Sequence, residues 1–258
     1  MNLYKKYTTA FYTILSNEVR RFIRIWSETL LPSAIMTILY FVIFGAFIGS
    51  HLAQVGGVSF MQYIAPGLIM MAIITNSYSN VVASFFILRF QRSIEELLTA
   101  PVPNVLILLG FVLGGIMRGL AVGIIVTAIS LFFTHLNIYN ISIIIVISLL
   151  TSALFSLAGF LNAIFAKKFD DIQIVPTFIL TPLTYLGGVF YSLSQLPPVW
   201  QTISKFNPII YIVNAFRYGI LGVSDVSIQF AFVIIITANI LLFFINLILL
   251  KKGIGLKT

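Results

Sequence analysis

The chain of 258 residues is 60% hydrophobic and only 9% charged, with a mean hydropathy of +1.08; soluble domains carry roughly one-quarter charged residues. These proportions exclude an ordinary soluble domain and imply an all-α polytopic membrane protein, read as a single transmembrane domain over residues 1–258. The net charge of +8 comes from small basic groups beside apolar runs, where anionic lipid and topology account for it and nucleic acid does not, and a chain without cysteine has no disulfide, thiolate metal site or cysteine nucleophile.

Residues Met1 to Glu28 carry Lys5, Lys6, Arg20, Arg21 and Arg24 among aromatic residues. This pattern predicts an amphipathic helix lying on the membrane, with Phe22, Ile25 and Trp26 in the interface and the arginines at anionic headgroups. Six apolar runs follow: Thr29 to Gly49, Tyr63 to Leu88, Val105 to Phe133, Ile141 to Ala166, Ile172 to Leu193 and Ile228 to Leu250. Each is long enough to cross a hydrocarbon core of about 30 Å as a helix. Between the second and third runs, Ser93 and Glu96 have capping-box spacing, and Glu95 and Glu96 sit where a helix N-terminus favours carboxylates. Ile94, Leu97 and Leu98 then share one face, and Pro101 and Pro103 stop the helix after about two turns. So short a helix is not stable alone in water, so it leans on the membrane, on neighbouring spans or on a partner protein.

In the third run, Gly115, Gly119 and Gly123 recur every fourth residue, with Gly110 and Gly114 extending the pattern, which predicts a close helix contact. Arg118 borders this stripe roughly 20 Å from Val105 along the helix, near mid-membrane if the helix starts at the surface. It either snorkels and bonds backbone carbonyls from an overlong helix, or makes a buried contact with a subunit or substrate. The fifth run contains Pro176, Pro182 and Gly187-Gly188, with Thr177, Thr181 and Thr184 able to satisfy freed backbone groups; it should be kinked. Residues 194–227 read as two short helices broken at Asn207-Pro208, with Asn214 and Arg217 on the polar side of the second. That second piece of about 13 residues, roughly 20 Å, is too short to cross, so it lies in the interface or dips in and returns.

No phosphate-binding glycine loop followed by Lys-Ser/Thr occurs, which excludes ATP hydrolysis by that route. His51 and His135 have no second ligand at metal spacing, and no nucleophile elbow is present. No enzyme activity, metal or other cofactor is expected on this chain. Asp170-Asp171 beside Lys167-Lys168 reads as a solvated, partly self-paired turn.

The segments Glu95-Glu96-Leu97-Leu98-Thr99-Ala100-Pro101-Val102, Phe206-Asn207-Pro208-Ile209-Ile210-Tyr211 and Ala215-Phe216-Arg217-Tyr218-Gly219, in this order of elements, resemble the ABC-2 type transporter permeases. The resemblance implies a half-transporter of the bacterial inner membrane, in which two permease chains form a homodimer and two copies of a separate ABC ATPase bind ATP and Mg. Arg92 to Pro101, comprising Arg92, Ser93, Ile94, Glu95, Glu96, Leu97, Leu98, Thr99 and Pro101 with Ala100, would be the helix that couples to the ATPase. Pro197 to Leu221, with Asn207, Pro208, Tyr211 and Arg217, would be outward re-entrant helices. It further implies export, with the driving force supplied in trans. The alternatives are an ion-coupled carrier, which would need ionisable groups near the midplane, and a non-transporting membrane scaffold.

Twelve of the fifteen Lys and Arg residues fall in the N-terminal segment, the Arg89 loop, the Lys167 loop and the C-terminal tail. By the positive-inside rule both termini are cytoplasmic, which requires an even number of crossings and fits six. Single cysteines at Val55 and Gln201 should therefore react with an impermeant thiol reagent from outside, and cysteines at Gln91 and Leu256 should not; outside labelling at Leu256 would contradict an even count.

Overall fold

A computed structural model describes residues 3–45, 54, 55, 57–99 and 101–255. The end of the first apolar run, His51, Ala100 and Leu256 lie outside the described residues, as does the side chain of Leu98. The chain is almost wholly helical: α1 (Leu3–Arg24), α2 (Trp26–Thr29), α3 (Leu31–Ile43), α4 (Phe60–Phe90), α5 (Ile94–Thr99), α6 (Asn104–Phe133), α7 (Ile141–Phe165), α8 (Asp171–Val175), α9 (Thr181–Tyr185), α10 (Pro198–Lys205), α11 (Pro208–Leu221) and α12 (Ile228–Lys252). The described strands are a two-residue hairpin, Gln54–Val55 with Val58–Ser59, leading into α4. Val55 is buried in it, so its exposed neighbour Gln54 is the better thiol reporter for this loop.

α4 is the central element. A reciprocal Ser59/Gln62 capping box starts it, and α6 packs along one side and α7 along another. Gly115, Gly119 and Gly123 face α4. A Cβ at Gly119 would lie 3.3 Å from the carbonyl oxygen of Ile73, and one at Gly123 2.8 Å from the Ile73 side chain. Gly110 and Gly114 form a second row on α6 that receives α1, where a Cβ would meet Ile14 and Glu18 at 2.6 Å. Two glycine rows one residue apart thus let one helix approach two neighbours closely.

α1 does not present Phe22 to the membrane interface as expected. It runs beside the start of α6, Ile14 at Gly110 and Glu18 at Gly114, and Phe22 is buried in protein while Trp26 is 58% exposed. The glycine row gives room for the approach, and the hydrogen bonds of Glu18 to α4 hold it.

Five described segments are long and apolar enough to cross a membrane: Trp26–Ile43, α4, α6, α7 and α12. The ends of three of them remote from Arg89 coincide, with Phe41 stacked on Phe133 at 5.1 Å and Phe44 beside Phe60 at 6.3 Å. One hydrocarbon thickness from there, about 19 residues of helix, reaches Trp26 in the first segment, Asn80 in α4 and Gly114 in α6. Beyond that level α4 and α6 continue for about ten residues each, roughly 15 Å. They form a stalk sheathed on one side by α1. Arg118 stands about one turn of helix, roughly 6 Å, from the Gly114 level, which favours the reading of an overlong helix over that of a mid-membrane charge.

The fifth apolar run is not one continuous α-helix. α8 passes into a π-helical turn at Pro176–Leu180 and then α9, and the helix ends before Gly187 and Gly188, whose φ is +72°. Proline removes backbone donors at 176 and 182, and threonine hydroxyls add bonds to carbonyls about one turn back: Thr181 donates to Pro176 O (2.8 Å) and Thr184 to Leu180 O (2.6 Å). At its start, Asp171 accepts from the backbone N–H groups of Lys167 (2.7 Å) and Lys168 (3.0 Å), which hold its carboxyl below the usual carboxylate range. Arg89 at the C-terminal end of α4 donates to the carbonyls of Ala163, Ile164 and Ala166, closing the end of α7. Near the other end of α4, Val189 lies against Gly67.

Gly119→Leu should destabilise the protein far more than Ile124→Leu, because Ile124 is 71% exposed whereas Gly119 has helix backbone against it. Overpacking alone predicts a loss of about 1–3 kcal/mol at Gly119. Thermal midpoints in one detergent measure the difference; equal midpoints would contradict the packing described.

Candidate functional site

The short charged helix between α4 and α6 is positioned by the stalk. The chain leaves α4 through Arg92, whose φ of +60° is left-handed, a conformation that costs a non-glycine residue roughly 1–2 kcal/mol. Glu95 N then bonds Arg92 O at 3.1 Å. The expected Ser93/Glu96 capping box does not form; both residues border a cavity lined also by Ile14, Glu18, Leu88 and Leu97. Thr99 folds back on the carbonyls of Glu95 (2.9 Å) and Glu96 (3.2 Å).

Ile94 is 1% exposed and Leu97 is half-buried against the core. The described part of the apolar face thus packs on this chain's own stalk. Arg92, Glu95, Glu96, Thr99 and Pro101 are the exposed residues of the segment. The sequence left the membrane, neighbouring spans and a partner open as supports for this face, because part of the cavity beside it is lined by Ile14 and Glu18 of α1, about 80 positions away.

The stalk is tied to α1 by a buried carboxylate that sequence reading missed. Glu18, 4% exposed, accepts from Arg21 Nη2 (3.0 Å), Asn80 Nδ2 (3.1 Å) and Ser84 Oγ. Arg21 also donates to the carbonyl oxygen of Asn80 at 3.0 Å. One turn deeper, Arg118 donates to Asn76 Oδ1 (3.1 Å), and Asn76 donates to Ser33 Oγ on α3 (2.9 Å). The signal was present: Asn76, Asn80 and Ser84 recur every fourth residue in an otherwise apolar run and mark one polar stripe.

A second constellation occupies the opposite end of α4. Asn207 caps α11 by accepting from Ile209 N (3.0 Å) and donates to Leu183 O (2.6 Å), with Pro208 in the first turn. Tyr211 donates to Lys205 O at 2.9 Å. Arg217 was expected on a polar face with Asn214, but both are buried. Its guanidinium lies 3.9 Å from the centroid of the Tyr63 ring and donates to Tyr63 O (3.2 Å) and Gly188 O (2.6 Å). Tyr63 OH (3.3 Å), Ser192 Oγ (2.8 Å) and Leu193 N (2.9 Å) converge on Asp225, whose own N–H donates to Asn214 Oδ1 (3.0 Å). Asp225 stands alone in a loop and carries no pattern by which sequence could have singled it out. Among the described residues no three His, Asp or Glu side chains converge as a metal site would require.

Comparison with known proteins places these features. Residues 9–221 match the family described as ABC-2 type transporter. The chain is 52% identical over 252 residues to the Inner membrane transport permease YadH of Escherichia coli (strain K12), covering 98% of each chain. It is 25% identical over 190 residues to Nodulation protein J of Rhizobium leguminosarum bv. trifolii, covering 72% of this chain and 71% of that one. To Nodulation protein J of Rhizobium meliloti (strain 1021) it is 26% identical over 204 residues, covering 76% and 77%. With a family match across both glycine rows, α5 and α11, and a full-length relative above half identity, the chain belongs to the ABC-2 type transporter family.

Proposed function

We propose that this chain, a membrane-embedded permease subunit, works as half of an ATP-driven exporter of the bacterial inner membrane. Two copies pair as a homodimer, and two copies of a separate ABC ATPase bind ATP and Mg and drive them. The observation that carries the reading is the placement of α5 at the end of the stalk, roughly 15 Å of helix beyond the apolar stretch, with Arg92, Glu95 and Glu96 exposed. A helix braced by its own chain and charged on its free face is suited to a mechanical contact, in which charge complementarity sets orientation.

In this role α5 receives the closing motion of the ATPase and passes it to α4 through the buried side chain of Ile94. α11, tied to the far end of α4 through Arg217 and Tyr63, moves with it near the outer opening. The chain crosses six times with both termini cytoplasmic. The count is supported by residues 166–189, which run from beside Arg89 to beside Gly67 on α4, a separation of about 33 Å of helix that matches a hydrocarbon core.

Glu95→Lys with Glu96→Lys should leave membrane insertion intact, because both residues are exposed outside the spans, yet weaken capture of the cognate ATPase at least roughly ten-fold through like-charge or lost contacts and abolish ATP-dependent transport. The measurement pairs an ATPase pull-down with ATP turnover in reconstituted membranes. Undiminished complex formation and turnover would reject α5 as the coupling helix, and transport driven by a proton gradient without ATP would reject the ATP-driven reading itself.

A further inference from the structure

The C-terminal part of α1 carries more positive charge than the structure neutralises. Asn17, Arg20, Arg21 and Arg24 share one face and surround an open cavity. Arg21 shares Glu18 with Asn80 and Ser84, and Arg20 and Arg24 are exposed and make no ion pair among the described residues. Arg118 stands behind Arg21 within electrostatic reach. Nε of both Arg21 and Arg118 is buried without a hydrogen-bond partner. Glu28, the other carboxylate nearby in sequence, is exposed on α2 and forms no ion pair among the described residues.

This cluster sits at the inner edge of the apolar layer. Ile23 and Trp26 beside it are exposed, as tryptophan commonly is at the headgroup level, and the apolar helix α3 begins at Leu31. From Arg21 the polar contacts reach Asn80 and, one turn along α4, Asn76, which donates to Ser33 at the edge of a groove between α3 and α4. Ser33, Met36, Thr37, Tyr40, Met71 and Thr75 line it, and its lining is mainly apolar. A basic cluster on α1 is thus linked through the polar residues of α4 to an apolar groove that begins at Ser33.

We infer that this is a binding site for an anionic phospholipid, with the headgroup phosphate held by Arg20, Arg21 and Arg24 and one acyl chain lying in the α3–α4 groove. Bidentate guanidinium donors suit phosphate oxygens, and the groove supplies what a free anion would not use. A second copy of this chain fits the groove less well, since pairing there would bring like-charged arginine clusters together. The site is independent of ATPase coupling, and an assay without ATPase leaves the proposed function untouched if the inference fails.

The test is native mass spectrometry of the full-length permease in detergent, titrated separately with phosphatidylglycerol, phosphatidylcholine and inorganic phosphate. Wild type should bind phosphatidylglycerol in preference to phosphatidylcholine. Arg20→Gln with Arg24→Gln should weaken phosphatidylglycerol binding roughly 30-fold, as expected for two lost basic residues near a lipid surface, while Lys251→Gln with Lys252→Gln should change it less than about two-fold, as its lysines lie outside the cluster. Met36→Trp, at an exposed position that narrows the groove, should weaken it several-fold. The inference is overturned if the two double variants lose binding equally, if phosphatidylcholine binds as well as phosphatidylglycerol, if inorganic phosphate binds as tightly as the lipid, or if Met36→Trp has no effect.

Discussion

The carboxylate of Glu18 is the contact on which the arrangement at the Arg89 end rests. It gathers Arg21, Asn80 and Ser84 from two helices in a space left open by Gly114. Hydrogen bonds to a charged group contribute about 1.5–3 kcal/mol each, and a buried carboxylate without them would be strongly destabilising. The stalk needs this support, because α4 and α6 leave the apolar layer together and α1 covers one side of them. In the proposed mechanism, a floppy stalk could not pass force from α5 to the spans; one braced by α1 can.

The opposite end is held by the same logic with the signs exchanged. There the buried charge is Arg217, 1% exposed, satisfied by two carbonyls and the face of Tyr63, while Asp225 ties Tyr63 to the loop at Ser192. Arg217 Nη1 remains buried without a partner. Both ends of α4 are therefore fixed by ionic groups with specific geometry, while its middle packs closely on the glycine face of α6. In the proposed mechanism, that division suits a lever whose ends must stay attached.

Much of this fold could be read in the sequence, because apolar length, four-residue glycine spacing and the Asn207-Pro208 break are local signals. The long spans, the close face at Gly115, Gly119 and Gly123, and the α10–α11 pair all follow from such patterns. What was not legible depends on partners distant in the chain. The tilt of α1 onto α6 needs Glu18 to meet Asn80 and Ser84, and the burial of Ile94 needs α5 to fold back on its own stalk. Arg217 looked like a surface charge because its acceptors are mostly carbonyls, to which residue identity gives no clue. Pro176 and Pro182 predict a kink in the fifth run, but hydropathy does not record that the paired glycines end its helix early.

The account stands on α1 bracing the α4–α6 stalk at the level of α5, and a cross-link between them tests it most directly. Asn17 and Ser93 line one cavity, and the chain has no native cysteine. In native membranes, a variant with cysteine at both positions should form an intramolecular cross-link with a short bifunctional thiol reagent in most molecules. Full reactivity of each thiol with no cross-link would mean that α1 lies away from the stalk, and would contradict the account.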